Sequence, residues 1–212
     1  MKKDNYIYIV LIRALTKLGK FSRLISKYEY THIAVSLSEE LNDFITFSRK
    51  KHNTPFDAGF MHELKEHYVF GNNDKVKIKV FKIPVSNENL SKIKEYIKSI
   101  EEDASYIFNL YSMITMPIIH GFKIYKAHNC MSFTSKIIEL TNQVKLTKKY
   151  YKYNIKELDI LLTPYFYKEE YITKEKDDKE YMSRVSILTN IKFFFKLNGK
   201  LIYRMIFKNQ GL

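Results

Sequence analysis

The segment VKIKVFKIPV at residues 76–85 constrains the fold more than any other part of the sequence, because its side-chain types alternate with a period of two. Such a period is typical of a β-strand, in which successive side chains point to opposite faces. Ser86 follows directly and is a favourable helix N-cap, so we expect the strand to be followed by a helix that ends near Ile100. One face of the predicted strand carries Val76, Ile78, Val80 and Lys82, and the other carries Lys77, Lys79, Phe81 and Ile83.

The region before this segment is expected to contain three further strands and a helix. Residues 5–12 are uniformly apolar or aromatic, which predicts a strand covered on both faces. Residues 14–28 carry apolar side chains, Leu18 and Phe21 among them, at helical spacing. The runs THIAVSL and FITFSRK then predict a β-hairpin across the turn SEELND.

The remaining segments complete the predicted fold. Pro55 and Gly59 are breakers, and they predict that residues 51–64 form a loop. A helical segment is expected to end near Pro117, and a further helix, SFTSKIIEL, is led by Cys130. This order of elements predicts an α+β fold, with a small, mainly antiparallel sheet packed against helices.

Two parts are expected within the 212 residues: a domain over residues 1–167 and an extension over residues 168–212. The extension begins with the mixed-charge run KEEYITKEKDDKE, which indicates an exposed segment or linker. Apolar and basic residues then alternate over residues 181–208. We interpret them as a helical hairpin that turns at Asn198–Gly199 and packs on the core. The alternative is a basic amphipathic helix that contacts an anionic membrane surface or a partner.

Composition narrows the functional classes. A net charge of +13 favours anionic partners, but no helix-turn-helix, zinc-finger or aromatic RNA-binding signature is present, so we expect no specific nucleic-acid partner. A single cysteine excludes an intramolecular disulfide scaffold and permits a reducing compartment. The apolar run YIYIVLI is too short for a signal peptide, and no run is long enough to span a membrane. The expected location is cytoplasmic.

Cys130 is the candidate nucleophile. It begins a predicted helix, where the positive end of the helix dipole favours a thiolate, and a nearby imidazolium would favour it further. His32, on the predicted strand THIAVSL, is the candidate base. The competing interpretation is that a lone cysteine is only a small buried hydrophobic residue.

The runs that carry these two residues resemble a known enzyme family. The sequence that begins IYIVLIRALTKLGK and continues through THIAVSL, FITFSRK and TPFDAGF resembles the N-terminal half of circularly permuted papain-like amidases of the NlpC superfamily. The stretch from KVKIKVFKIPV to YIFNLYSM is similar to the middle section of that family, so the resemblance covers roughly residues 5–165. In that family, as here, the histidine strand precedes the cysteine helix. Met131 departs from the serine that usually follows the cysteine, whereas Phe133 fits the pattern.

The resemblance implies a third residue that orients the imidazole. Some relatives place an acidic residue on the strand after the histidine strand, but the best match here is Ser48, with Thr46 on the same strand face. Three carboxylates are less favoured for this role: Glu39 and Glu40 near the turn, and Glu63 in the predicted loop. Arg49, next to Ser48, is a candidate for binding a carboxylate or phosphate of the substrate.

The chemistry implied is acyl transfer without a cofactor. Cys130 would attack the carbonyl of an amide, ester or thioester in a small molecule or peptide, and His32 would move the proton. His120 and His128 are alternative bases because they flank the cysteine in the sequence. The motif HELKEH lacks the spacing of a zinc protease, so no metal is expected. The alternative function is an inactive papain-like module that binds an anionic ligand, a membrane surface or a partner.

Overall fold

The computed structural model describes residues 5–208, except for the side chains of Lys17, Leu18, Phe21 and Ser22. The predicted apolar positions Leu18 and Phe21 therefore lie outside the described side chains. The strands are β1 (Asn5–Ile12), β2 (His32–Ser36), β3 (Phe44–Arg49), β4 (Ala58–Glu63), β5 (Lys75–Val85), β6 (Ile107–Phe108), β7 (Ala127–His128) and β8 (Phe166–Thr173). The helices are α1 (Lys17–Ser26), α2 (Asn87–Glu101), α3 (Leu110–Ile119), α4 (Cys130–Thr141), α5 (Ile155–Leu162) and α6 (Ile187–Phe207).

Six of the strands form one antiparallel sheet in the order β4-β3-β2-β1-β5-β8. The predicted hairpin of β2 and β3 is present, with Val35 opposite Ile45, and Ile12 of β1 lies opposite His32. The short strands β6 and β7 form a separate parallel pair. The mixed α+β class with an antiparallel sheet is therefore confirmed.

The alternation in β5 divides the apolar interior into two cores. Val76, Ile78 and Val80 belong to the smaller core, on one face of the sheet, whereas Phe81 and Ile83 belong to the larger core, which also contains the helices. Ser86 accepts a hydrogen bond from the backbone of Asn89 and caps α2, as its sequence position predicts. The strand β5 and the helix that follows it are therefore formed as the sequence predicts.

Helix α4 lies in the larger core and is buried on most of its sides. Phe133 is fully buried there, and its ring contacts Phe47 of β3 at 5.4 Å and Phe60 of β4 at 5.8 Å between centroids. Aromatic packing of this kind adds to the free energy gained from burial and fixes the helix against the sheet. The N-terminus of α4, where Cys130 lies, is thereby held beside β2 and β3.

The predicted loop at residues 51–64 is wrong over its second half, which forms β4. Pro55 precedes the strand and interrupts nothing, because β4 begins at Ala58. Gly59 pairs with Ser48 of β3 as an ordinary strand residue. A glycine weakens a strand but does not prevent one where a neighbouring strand supplies the hydrogen bonds.

The extension also differs from its prediction. The charged run that begins at Lys168 forms most of β8, which pairs with β5, so the expected boundary between residues 167 and 168 falls inside a strand. The expected hairpin at Asn198–Gly199 is a single helix, α6. The side chain of Asn198 donates to the carbonyl of Phe194 one turn earlier and so does not end the helix. No helix within residues 5–208 is long and apolar enough to cross a membrane.

Candidate active site

Three elements bring a thiol, an imidazole and a carboxylate together. Cys130 begins α4, His32 begins β2 and Glu63 ends β4. Nε2 of His32 lies 2.8 Å from Oε2 of Glu63, and these side chains are only 14% and 4% exposed. The thiol of Cys130 lies close enough to His32 to contribute to the raised pKa of that imidazole. The structure therefore brings the two predicted catalytic residues into interaction range of each other and places Glu63 against the imidazole.

Capping of α4 fixes the position of Cys130. The side chain of Asn129 accepts from the backbone of Ser132 at 2.9 Å, and the hydroxyl of Ser132 accepts from the backbone of Asn129 at 3.0 Å. This reciprocal capping box makes Cys130 the first residue of the helix. Within the described residues, the hydrogen bonds leave the N–H groups of Cys130 and Met131 without an acceptor. Both groups can therefore stabilise a developing negative charge beside the thiol.

Glu63 is held as a carboxylate by three donors. Its Oε2 accepts from Tyr68 at 2.7 Å and lies against His32, and its Oε1 accepts from Ser48 at 2.7 Å. Burial alone would raise the pKa of Glu63, but the charge of His32 and these hydrogen bonds lower it below its usual value. The same burial, together with the neighbouring carboxylate, raises the pKa of Tyr68 well above its usual value, so the phenol remains a donor.

The electrostatics of His32 follow from this carboxylate. Burial by itself would lower the pKa of His32, because it disfavours the charged imidazolium. The negative charge of Glu63 and the hydrogen bonds to Cys130 and Glu63 outweigh burial and raise the pKa of His32 to about 10. Since Nε2 faces Glu63, Nδ1 is the ring nitrogen left to exchange a proton with the thiol. At neutral pH the site therefore holds an imidazolium beside the sulfur.

The role expected of Ser48 is corrected by this geometry. The residue against the imidazole is Glu63, and the hydroxyl of Ser48 donates to Glu63. Thr46 donates instead to the backbone carbonyl of Ile33 at 2.9 Å. The sequence disfavours Glu63 because Pro55 and Gly59 indicate a loop there. The usable signal was a carboxylate at the end of a six-residue run that is able to pair with the strand before it.

Arg49, the candidate substrate-binding residue, lies at the end of β3 and is partly buried. Its Nε lies 3.4 Å from the hydroxyl of Tyr181, and one terminal nitrogen lies 3.2 Å from Nδ1 of His52. Burial and the charge of Arg49 lower the pKa of His52 to about 4, so this imidazole is neutral at neutral pH. Both of these hydrogen-bonding partners of Arg49 are therefore uncharged at neutral pH.

The two alternative bases are engaged elsewhere. The ring nitrogens of His128 contact the hydroxyl of Tyr96 at 3.1 Å and that of Ser132 at 3.3 Å. Burial, with smaller effects of Lys123 and Lys136, lowers the pKa of His128 to about 4. His120 follows α3, is exposed and lies 4.0 Å from Glu157. The histidine that interacts with Cys130 is therefore His32.

The two histidines of the motif HELKEH pair with different carboxylates. Its first histidine, His62, contacts Asp43 at 2.8 Å, and its second, His67, contacts Asp178 at 3.1 Å. Glu63 lies between them in the sequence but faces His32. Residues 5–208 contain no group of three or more ligating side chains that could hold a metal ion.

Comparison of the chain with known protein families, with curated proteins and with solved structures found no match in any of the three.

Proposed function

We propose that this protein is a cysteine-dependent hydrolase or acyltransferase with a circularly permuted papain-like fold of the NlpC type. The observation that carries the proposal is the grouping of Cys130, His32 and Glu63, in which the imidazole is paired with the carboxylate at 2.8 Å and its pKa also responds to the thiol. This is the arrangement that turns a cysteine into a nucleophile and an imidazole into a proton carrier. The order of histidine strand before cysteine helix supports the permuted topology.

The proposed reaction begins from a thiolate and an imidazolium. The sulfur of Cys130 attacks the carbonyl carbon of an amide, ester or thioester, and a carbon–sulfur bond forms. The N–H groups of Cys130 and Met131 stabilise the resulting oxyanion. His32 gives its proton to the leaving nitrogen, oxygen or sulfur as the bond to that atom breaks, which leaves a thioester on Cys130.

The second half of the reaction restores the enzyme. His32, now neutral, takes a proton from water or from another acceptor, which attacks the thioester carbon and releases the acyl group. Glu63 keeps the imidazole in one orientation and stabilises its positive charge in both halves of the cycle. We assign Ser48 and Tyr68 to positioning, because both donate to this carboxylate.

Arg49 is the proposed site for an anionic group of the substrate. Its described partners, Tyr181 and His52, leave its positive charge without a compensating carboxylate in these contacts. A guanidinium in such a setting binds a carboxylate or phosphate well. We also propose a cytoplasmic location, since a reducing compartment keeps a catalytic thiol in its active form.

Alkylation of the single cysteine tests the proposal directly. Cys130 is 6% exposed, so the reagent must be small, and iodoacetamide is suitable. We expect rapid modification of the native protein at neutral pH and modification at least roughly tenfold slower in His32→Ala, since thiolate character controls the rate. The matched control is His128→Gln, which alters a buried histidine close to Cys130 in the sequence and should leave the rate nearly unchanged.

Two results would contradict the proposed nucleophile. One is a thiol that reacts only after the protein unfolds, which would favour an inactive module on the same fold. The other is equal modification of the native protein and of His32→Ala, which would remove the imidazole from the activation of Cys130. Turnover of amide, ester and thioester substrates by the native protein and by Cys130→Ala then identifies the acyl class.

A further inference from the structure

Helices α3 and α6 present large apolar side chains to solvent. Ile118 of α3 is 81% exposed and Ile187 of α6 is 79% exposed, and many others around them are exposed as well. Large apolar side chains exposed in such number on two helices mark a binding site more often than an accident of composition. The α3–α6 surface comprises Ile114, Ile118, Ile119, Ile187, Leu188, Ile191, Phe195, Ile202, Met205 and Ile206.

Helix α6 has three sides of different character. Leu197 and Leu201, one turn apart, are buried against the protein. Lys192, Lys196 and Lys200, also one turn apart, form an exposed basic side. The remaining side is the exposed apolar one. A helix with apolar and lysine-rich sides next to each other, both turned to solvent, is typical of helices that lie in a membrane interface.

The protein holds α6 so that the apolar side stays outward. The guanidinium of Arg204 donates to the backbone carbonyls of Ser105 at 2.5 Å and Lys126 at 2.8 Å. Near the other end, Asn190 donates to the carbonyl of Asn53 at 3.2 Å. These contacts fix the rotation of the helix about its axis. The exposed apolar side is therefore a permanent surface of the folded protein.

A hydrogen bond links the two helices. The hydroxyl of Tyr111 in α3 donates to Asn198 in α6 at 2.8 Å. Ile114 and Ile118 lie one and two turns after Tyr111 on the same side of α3. Asn198 lies on α6 between the turns that carry Ile191 and Ile202. Exposed apolar side chains of both helices therefore flank the point at which α3 and α6 are joined.

We propose that the α3–α6 surface binds an anionic lipid bilayer, with α6 parallel to the membrane plane and its lysine side at the phosphate headgroups. The apolar side chains would enter the boundary between headgroups and acyl chains, and each lysine near the surface would add about 1 kcal/mol of attraction. This inference does not depend on the proposed catalysis.

Charge complementarity favours a bilayer over a second copy of the same chain. The chain carries a net charge of +13, so two copies would repel each other as their lysine sides approached. An anionic surface instead attracts the same charges that oppose self-association. An apolar helix side next to a lysine side matches a lipid bilayer, whose anionic headgroups lie directly above apolar acyl chains.

Co-sedimentation of the full-length protein with vesicles tests the inference. We expect binding to vesicles of phosphatidylcholine with phosphatidylserine, weakening as salt is raised, and much weaker binding to phosphatidylcholine alone. The double variant Ile191→Ser, Phe195→Ser should reduce binding roughly tenfold or more, because it removes apolar area from the interface. The double variant Lys192→Gln, Lys196→Gln should reduce binding only to the anionic vesicles, also roughly tenfold.

Matched changes outside the α3–α6 surface provide the controls. Leu24 of α1 is 75% exposed, so Leu24→Ser removes an exposed apolar side chain from another helix. Lys92→Gln with Lys98→Gln removes two exposed charges from α2. Both control variants should bind anionic vesicles as the native protein does.

Three results would overturn the inference. The first is binding that is equal on both vesicle types and insensitive to salt. The second is binding that the α6 variants and the control variants reduce equally. The third is no vesicle binding, together with a dimer in light scattering that Ile191→Ser, Phe195→Ser converts to a monomer. That last outcome would identify a second copy of the chain as the occupant.

Discussion

His32 and His128 are both buried near the start of α4, yet the protein moves their pKa values in opposite directions. Burial lowers the pKa of His128 to about 4, since its partners Tyr96 and Ser132 are uncharged hydroxyls. Burial acts on His32 in the same sense, but a carboxylate at 2.8 Å reverses it and raises the pKa to about 10. The difference teaches that Glu63, and not the degree of burial, decides which histidine carries a proton at neutral pH.

Removal of Glu63 should give the largest effect. In Glu63→Gln the imidazole of His32 stays buried without its carboxylate, so we expect its pKa to fall below 6.5 and the free energy of unfolding to drop by about 3–5 kcal/mol. Urea denaturation at pH 7 and NMR titration of the imidazole measure the two quantities. Glu139→Gln, which breaks a more exposed pair with Lys136, should cost less than about 1 kcal/mol. A His32 pKa still well above 6.5 in Glu63→Gln would remove the carboxylate as its cause.

The pH dependence of stability should separate the two histidines. His128 binds a proton in the unfolded chain below pH 6.5 but in the folded protein only near pH 4, so its effect is a loss of stability as the pH falls through this window. His52 acts in the same direction. His32 behaves oppositely, because its contribution is complete below pH 6.5 and is lost as the pH rises through about 10.

The variant His128→Gln sharpens this contrast. Its effect on the pH dependence of the unfolding free energy should be the second largest. The native protein should lose up to about 3 kcal/mol between pH 6.5 and 4 through His128 alone, at about 1.36 kcal/mol for each pH unit. The variant should lose correspondingly less over that window while keeping the decline above pH 7. Chemical denaturation at a series of pH values provides the measurement, and equal acid sensitivity of the two proteins would contradict the assignment.

Ser48→Ala tests whether Ser48 acts on Glu63 or on the imidazole. Because its hydroxyl donates to Glu63, its loss should cost about 1–2 kcal/mol of unfolding free energy and leave the pKa of His32 raised. Denaturation and NMR titration again report both quantities. Ser99→Ala, which removes an exposed hydroxyl from α2, is the control and should have almost no effect. A large fall in the His32 pKa would instead restore Ser48 as the direct partner of the ring.

The smallest effect should follow from Lys136→Gln. The charge of Lys136 lowers the pKa of His128 by a lesser amount than burial does. Its removal should therefore raise this pKa by roughly a few tenths of a pH unit and leave that of His32 unchanged. NMR titration resolves such a change, and Lys92→Gln on the solvent side of α2 serves as the comparison. No movement of His128 would mean that burial alone sets its pKa.

Much of the fold could be predicted because local signals agree with tertiary structure there. The alternation of β5, the Ser86 cap of α2 and the helix led by Cys130 all depend on residues close in sequence. The strand β4 could not be predicted in this way, because its backbone hydrogen bonds come from β3 and override the local preference of Gly59. Similarly, the charged residues of β8 form a strand because β5 offers an open edge.

Two of the three site residues could be predicted for the same reason, and the third could not. Cys130 and His32 each occupy a position with a recognisable local character, at a helix N-terminus and on an apolar strand. The role of Glu63 depends on three side chains from other segments, His32, Ser48 and Tyr68, which converge only in the folded protein. A sequence pattern carries no information on such convergence unless the strand that bears the carboxylate is predicted first.

The placement of the three site elements along the chain has a consequence for when the proposed reactivity of Cys130 would arise during synthesis. His32, Ser48 and Glu63 lie on consecutive antiparallel strands that emerge from the ribosome early and need only short loops to close. Cys130 follows 67 residues after Glu63 and joins them only when α4 docks. We therefore expect the thiol of a nascent or partly folded chain to be as unreactive as that of free cysteine. Under the proposed function, activation of this thiol would then report the completion of folding.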